Sequence, residues 1–208
     1  MKKQQVVLAT RNAGKIRELA QPLAAYGLEV LGLDAFPELE DVEETGQTFE
    51  ENALLKAHSV AAATGLVAIA DDSGLEVDAL NKAPGVYSAR YSNDMPLLEG
   101  ENKDQRNNRK LLQALATVPQ EKRTARFVCC MVACTPQGRH ISVRGEWDGS
   151  ILTSPQGDNG FGYDPLFWDA SAHCSSAMLT REQKNARSHR GKALQKLMAA
   201  WQDFWNKA

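Results

Sequence analysis

Two adjacent carboxylates, Asp71 and Asp72, follow directly on the short apolar run Leu66-Val67-Ala68-Ile69-Ala70, and Ser73-Gly74 comes next. The run reads as a buried strand, which predicts that the acids fall where the strand ends and the chain turns. Like charges side by side repel, and neither is stable in an apolar setting without a cation or solvent to compensate it. Mg²⁺ prefers carboxylate and water oxygens and suits such a pair. A plain polar turn built from Asp-Asp-Ser-Gly accounts for the segment equally well.

Other segments could complete a site. Thr10-Arg11-Asn12-Ala13-Gly14-Lys15 lies between a predicted strand, Val6 to Ala9, and a predicted helix. The amides and dipole of a helix N-terminus favour a phosphate there. Lys15 adds a point charge, and Thr10 and Asn12 add hydrogen-bonding side chains. This is not a Walker A loop, because Ala9 stands where that loop needs glycine and Ile16 follows the lysine. An ordinary strand-to-helix turn reads the same way. Glu43-Glu44-Thr45-Gly46 places acid just ahead of a helix, either for the helix dipole alone or as a further metal carboxylate. Gly157 to Pro165 is a glycine-dense loop with Phe161, Tyr163 and Asp164. Its glycines allow close backbone approach, and an aromatic on it can stack on a planar base. The alternative is a multi-turn connection whose aromatics pack on the core. Lys184, His189 and Arg190 form a small donor-rich cluster where the last helix begins, with Ser188 as its N-cap, and a solvated helix end explains such charges equally simply.

These segments need an α/β framework. Ile16, Leu19, Ala20 and Leu23 recur at helical spacing up to Gly27, and Leu28 to Leu31 reads as the next strand. Thr48-Phe49-Glu50-Glu51 has capping-box spacing and opens a helix to about Ala63, stopped near Gly65, with Asn52 and Lys56 one turn apart. A helix is predicted from about Asp104 to Ala116. Arg126 to Cys134, the turn Thr135-Pro136-Gln137-Gly138 and Ile141 to Trp147 read as a hairpin, so the sheet is expected to be mixed. Leu194, Leu197, Met198, Trp201 and Trp205 dock the final helix on the core.

With 208 residues, the chain suits a single domain spanning 1–208, or one core with two lobes. A formal charge of −2 gives no basic stripe for a nucleic-acid polymer, though a small anion needs only local charge. Cys129, Cys130, Cys134 and Cys174 show no zinc spacing; the adjacent pair sits in an apolar run and reads as buried thiols in a reducing cytosol. The run Val6-Val7-Leu8-Ala9 is too short for a signal-peptide core, and no later run reads as a membrane span, so a cytoplasmic protein is expected. No nucleophile elbow is visible.

In order along nearly the whole chain, Thr10–Lys15, Glu43–Gly46, Glu51–Ala57, Ala70–Gly74, Ala83–Tyr91, Phe161–Pro165 and Leu179–Glu182 through Ser188–Gly191 resemble the Ham1-like inosine/xanthosine triphosphate pyrophosphatases. The resemblance implies a long mixed β-sheet with two lobes and an active-site cleft between them. It implies hydrolysis of nonstandard purine nucleoside triphosphates (ITP, dITP, XTP) to the monophosphate and pyrophosphate, which cleanses the nucleotide pool. Thr10, Arg11, Asn12, Ala13, Gly14, Lys15 and Lys56 would hold phosphates. Asp72 would be the base and a Mg²⁺ ligand, Ser73 would line the site, and Glu43, in preference to Glu44, would be the second metal carboxylate. Phe161, Gly162, Tyr163, Asp164, Lys184, His189 and Arg190 match the base-recognition region. A homodimer is implied as well. Arg11 departs from the small residue usual at its position. A noncatalytic nucleotide-binding module would use the same loops without needing Asp72 as a base. A metal nuclease would need a basic groove that the charge balance does not support.

Overall fold

The computed structural model describes residues 4–206. Its strands are β1 (Gln4–Leu8), β2 (Leu28–Leu31), β3 (Val67–Val77), β4 (Thr124–Cys134), β5 (His140–Ile151), β6 (Phe167–Asp169) and β7 (Cys174–Ser175). Its α-helices are α1 (Ala13–Ala25), α2 (Phe49–Thr64), α3 (Lys103–Ala114), α4 (Arg181–Arg187) and α5 (His189–Asn206). The strands form one sheet in the order β2-β1-β3-β4-β5-β6-β7. β1 runs parallel to β2 and β3, whereas β6 is antiparallel to β5 and β7. The turn between β4 and β5 is closed by Thr135 N–H to Arg139 C=O at 2.8 Å and Gly138 N–H to Thr135 C=O at 2.9 Å. A turn that short cannot make a parallel crossover, so the expected hairpin and the mixed sheet are both present.

The chain divides into two compact units. The first takes the residues up to Asp72, Cys129–Gly145 and those from Arg190 onward; the second takes Ser73–Val128 and Glu146–His189. In the first unit the two-residue period of each strand sorts side chains to opposite faces. Val6, Leu8, Val67, Ile69, Cys129 and Met131 pack with Leu19 and Leu23 of α1 and with Leu194, Leu197, Trp201 and Phe204 of α5. Val7, Ala9, Ala68, Ala70, Val132 and Cys134 pack with Ala53, Ala57, Val60 and Ala61 of α2. Each fully buried Leu or Ile in these layers contributes about 1.5–3 kcal/mol. The predicted α2 boundaries hold. Thr48 and Glu51 form a reciprocal capping box, and Gly65 ends the helix in the left-handed region at φ 70°.

In the second unit Leu111 and Leu115 pack with Leu75, Val77, Phe127, Trp147, Tyr163, Leu166 and Phe167. Phe127 lies 4.5 Å from Phe167 between ring centroids, and Trp147 lies 5.0 Å from Phe167. The Trp147 indole N–H donates to Asp169 Oδ2 at 3.2 Å, which satisfies the polar atom of a buried ring.

Two sequence expectations change. β3 does not end at the acids: it runs through Asp71, Asp72, Ser73 and Gly74 to Val77. The segment stays extended because neighbouring side chains compensate the charges, as described below. A short helix, α4, precedes the final one. Thr180 caps it in a box with Gln183, and Ser188 separates it from α5 in an extended conformation.

Candidate functional site

The strand period that sorts the core also sorts the acids. Asp71 continues the row Val67, Ile69 toward α1 and α5, and Asp72 continues the row Ala68, Ala70 toward α2. Two like charges one residue apart therefore have different partners.

Asp71 has a fully buried side chain. Lys15 Nζ lies 3.2 Å from its Oδ2 and donates to its backbone carbonyl at 3.1 Å. Arg190 Nε and Nη2 donate to the same Oδ2 at 3.3 and 3.2 Å, and Arg190 Nη1 pairs with Glu18. Burial alone would raise the Asp71 pKa, but Lys15 and Arg190 overcome it and hold the carboxyl well below the usual range. Arg190 is buried too; burial works against its charge, yet Asp71 and Glu18 raise its pKa. The resemblance groups Arg190 with base recognition. Its guanidinium is bonded to Asp71 and Glu18. The Cys129 thiol donates to Asp71 Oδ2 at 3.9 Å, and burial, with Asp71 adding, pushes its pKa up. Cys129 and Cys130 are buried and free, as expected, and Cys134 is as well; Cys129 stays a protonated core residue rather than a nucleophile.

Asp72 meets α2. Asn52 Nδ2 donates to Oδ2 at 3.2 Å, and Lys56 Nζ lies 3.3 Å from Oδ1. Lys56 Nζ also reaches Glu44 Oε1 at 2.7 Å, so the lysine bridges two carboxylates. Burial raises the Asp72 pKa; Lys56 and Lys15 oppose it, but Glu44 and Asp71 add to it, and the net shift is upward. For Lys56, burial would lower the pKa, but Asp72, Asp71 and Glu44 outweigh it. The surroundings of these two adjacent carboxyls drive their pKa values apart, Asp71 downward and Asp72 upward.

The structure brings Glu44, rather than Glu43, to this cluster. Glu43 is exposed, whereas Glu44 accepts from Lys56 Nζ. Asn52 is a site residue that sequence reasoning left unassigned. Its Oδ1 accepts the Gly46 N–H at 2.8 Å while its Nδ2 holds Asp72, so one buried carboxamide ties the acidic segment to the acid strand. A Cβ at Gly46 would lie 2.7 Å from Asn52 Oδ1 and from Glu51 Cβ, which excludes larger residues from this contact. Its one-turn spacing from Lys56 was the available signal.

In the loop before α1, Asn12 is the N-cap. Its Oδ1 accepts from Gly14 N–H at 2.9 Å and Lys15 N–H at 3.2 Å, and Thr10 Oγ1 accepts from Asn12 N–H at 3.1 Å. Two of the first-turn amides expected to face a phosphate are thus already bonded to the cap. Ala13 is the first helical residue. What the loop supplies toward the acids is Lys15. Arg11 points elsewhere: it donates to Leu39 C=O at 2.7 Å and to Asp41 Oδ1 at 3.2 Å, so it ties the loop to residues 39–41.

The second unit holds the glycine-rich loop. Asp164 is buried and accepts three bonds: from Phe161 N–H at 2.9 Å, Ser176 Oγ at 2.8 Å and Lys184 Nζ at 2.7 Å. Lys184 Nζ also sits 5.0 Å from the Phe161 ring centroid. Gly160 is at φ 82°, and a Cβ there would lie 2.0 Å from Asp164 Oδ2, so this turn requires glycine. Tyr163 belongs to the core. Its hydroxyl donates to Ser88 C=O at 2.9 Å, and burial pushes its pKa up. His189 stacks on Phe127 with ring centroids 4.9 Å apart. Phe161, partly buried and set against a cation, is the aromatic of this loop suited to a planar ligand. Ser73 follows Asp72 on β3 and is partly buried.

In this α/β fold Lys15 of α1 and Lys56 of α2 concentrate positive charge around the paired acids of β3. The Ham1 family model matches residues 6–200, and the chain belongs to that family. It is 65% identical over 205 residues, 99% of either chain, to the dITP/XTP pyrophosphatase of Nitratidesulfovibrio vulgaris. It is 50% identical over 207 residues, 100% of this chain and 99% of the relative, to that of Lactiplantibacillus plantarum. The solved Ham1 protein of Staphylococcus aureus superposes with a TM-score of 0.82 at 41% identity, covering 96% of this chain and 99% of the other. That of Coxiella burnetii gives 0.85 at 38% identity, with the same coverage.

Proposed function

We propose that the chain hydrolyses dITP, ITP and XTP at the α–β phosphoanhydride, releasing the nucleoside monophosphate and pyrophosphate. The observation that carries this reading is the Asp72 carboxyl, buried and raised in pKa, held by Asn52 and shared with Glu44 through Lys56. A carboxylate so held is suited to take a proton from water as it attacks the α-phosphorus. Lys15 and Lys56 supply fixed positive charge to the oxygens that become more negative as the reaction proceeds. Asp71 and Arg190 keep Lys15 and the acid strand in place. No covalent intermediate is needed.

Among the described residues no group of three or more His, Cys, Asp or Glu side chains gathers as a metal site. Two carboxylates meeting at one lysine nonetheless fit Mg²⁺, which takes most of its ligands from water and substrate phosphates. Glu44 and Asp72 would hold the ion, which when bound neutralises phosphate oxygens and polarises the leaving pyrophosphate.

Phe161, Asp164 and Lys184 are the residues we assign to the purine. Phe161 offers a stacking face, and donors of the loop would read the 6-oxo group of hypoxanthine or xanthine. Adenine presents an amino group there and leaves such a donor unpaired, a strong form of rejection. By resemblance the reading extends to a homodimer in the cytosol. No helix among the described residues is long and apolar enough to cross a membrane.

A substrate panel tests the reading. With Mg²⁺ present, dITP, ITP and XTP should release pyrophosphate with kcat/KM at least about 100-fold above ATP. Release of orthophosphate and nucleoside diphosphate would overturn α–β cleavage.

A further inference from the structure

Helix α3 carries the sequence Lys103-Asp104-Gln105-Arg106-Asn107-Asn108 in its first turns. Asp104 and Asn108 are one turn apart and share a face. Both reach the same loop residue. Asp104 Oδ2 accepts the Gly162 N–H at 2.7 Å, and Asn108 Nδ2 donates to the Gly162 C=O at 2.9 Å. These two groups belong to successive peptide planes, one on each side of the Gly162 Cα. Holding both planes fixes φ and ψ at that residue, and φ there is 63°, in the left-handed region. Phe161 and Tyr163 flank this pinned position. Tyr163 has a further anchor, since Asn107 Nδ2 donates at 3.3 Å to the Ser88 carbonyl that its hydroxyl also reaches.

Asn108 is a costly choice for stability. It is buried, and its Oδ1 has no hydrogen-bond partner among the described residues. A buried acceptor left unmet costs free energy that an apolar residue of the same shape would not. What the carboxamide gains in return is its bond to Gly162.

From this geometry we propose that Asp104 and Asn108 are positioning residues for purine selectivity. They hold Gly162 so that Phe161 and Asp164 present one fixed surface to the base. The proposal rests on the reading of Phe161, Asp164 and Lys184 as the purine site. It assigns no contact between α3 and substrate. Loss of either bond leaves the loop with several conformations, of which one reads the base, so apparent affinity falls by the populated fraction.

Asp104→Ala and Asn108→Ala should each raise KM for dITP and XTP about tenfold, with kcat within about threefold of the parent. The ratio of kcat/KM for dITP to that for dGTP should fall about tenfold, because a loosened loop discriminates less. Asp104→Asn keeps an acceptor for the Gly162 N–H and should restore both quantities. A merely structural role would lower the melting temperature and leave KM and the purine ratio alone; folded variants with that result overturn the proposal. Equal loss of kcat on every substrate overturns it too. The two alanine variants are separate probes, so one that fails to fold leaves the other to decide. Hydrogen exchange at Gly162 in the unmodified protein needs no variant: protection is expected, and exchange at the rate of an open amide would overturn the clamp. If the parent protein hydrolyses neither dITP nor XTP, the functional reading fails while the exchange result still judges the clamp.

Discussion

Asp72→Asn is expected to lower kcat for dITP by about 10²–10⁴-fold while the protein remains folded. The substitution keeps the size of the side chain and an oxygen to accept from Asn52 Nδ2. It removes the one property the reaction uses, a negative charge able to take a proton. Folding should be little affected, because burial already disfavours the Asp72 charge and Lys56 keeps its 2.7 Å contact with Glu44. A melting curve with a shift worth less than about 1 kcal/mol, beside the loss of turnover, is the expected pair of results. Full turnover by this variant would overturn the assignment of Asp72 as the base.

Asp71→Asn is expected to act in the opposite way, through stability. Lys15 and Arg190 both face the Asp71 carboxylate, whose side chain is fully buried. Removing that charge leaves two cations in a low-dielectric site, with Glu18 compensating Arg190 alone. Breaking one side of a buried ion pair typically costs about 3–5 kcal/mol. For a chain of this length that lowers the melting temperature on the order of 10 °C. The pH dependence follows from the depressed pKa. The stabilisation is fully present above the unfolded carboxyl value of about 4 and is lost as pH falls toward the lower folded value. The gap in stability between parent and Asp71→Asn should therefore be widest near neutrality and narrow below about pH 4. Equal stability of the two proteins at neutral pH would contradict the pairing.

The contrast between these two variants rests on a geometry that was half legible in the sequence. Helical period, the Thr48–Glu51 box and the stop at Gly65 placed α2, and with it Asn52 and Lys56 on neighbouring positions. The apolar run placed the start of β3. Its continuation through Asp71 and Asp72 was hidden, because the cations that permit it come from Lys15 on α1 and Arg190 on α5. Charge compensation over 119 residues of separation leaves no local pattern to read. Glu43 and Glu44 are adjacent and chemically alike, and which of them meets Lys56 depends on a helix 12 residues further on. The Thr180–Gln183 spacing is that of a capping box and marks the start of α4. Asp104 and Asn108 look like solvent-facing polar residues in a charged helix. Their partner is a backbone group 58 and 54 residues away, which side-chain patterns do not reveal.

Hydrolysis of dITP in water enriched in heavy oxygen tests the central claim most directly. Attack on the α-phosphorus, with Asp72 taking the proton of the attacking water, predicts that the label enters deoxyinosine monophosphate and that pyrophosphate carries none. Label in pyrophosphate, from attack at the β-phosphorus, or label in orthophosphate would contradict it.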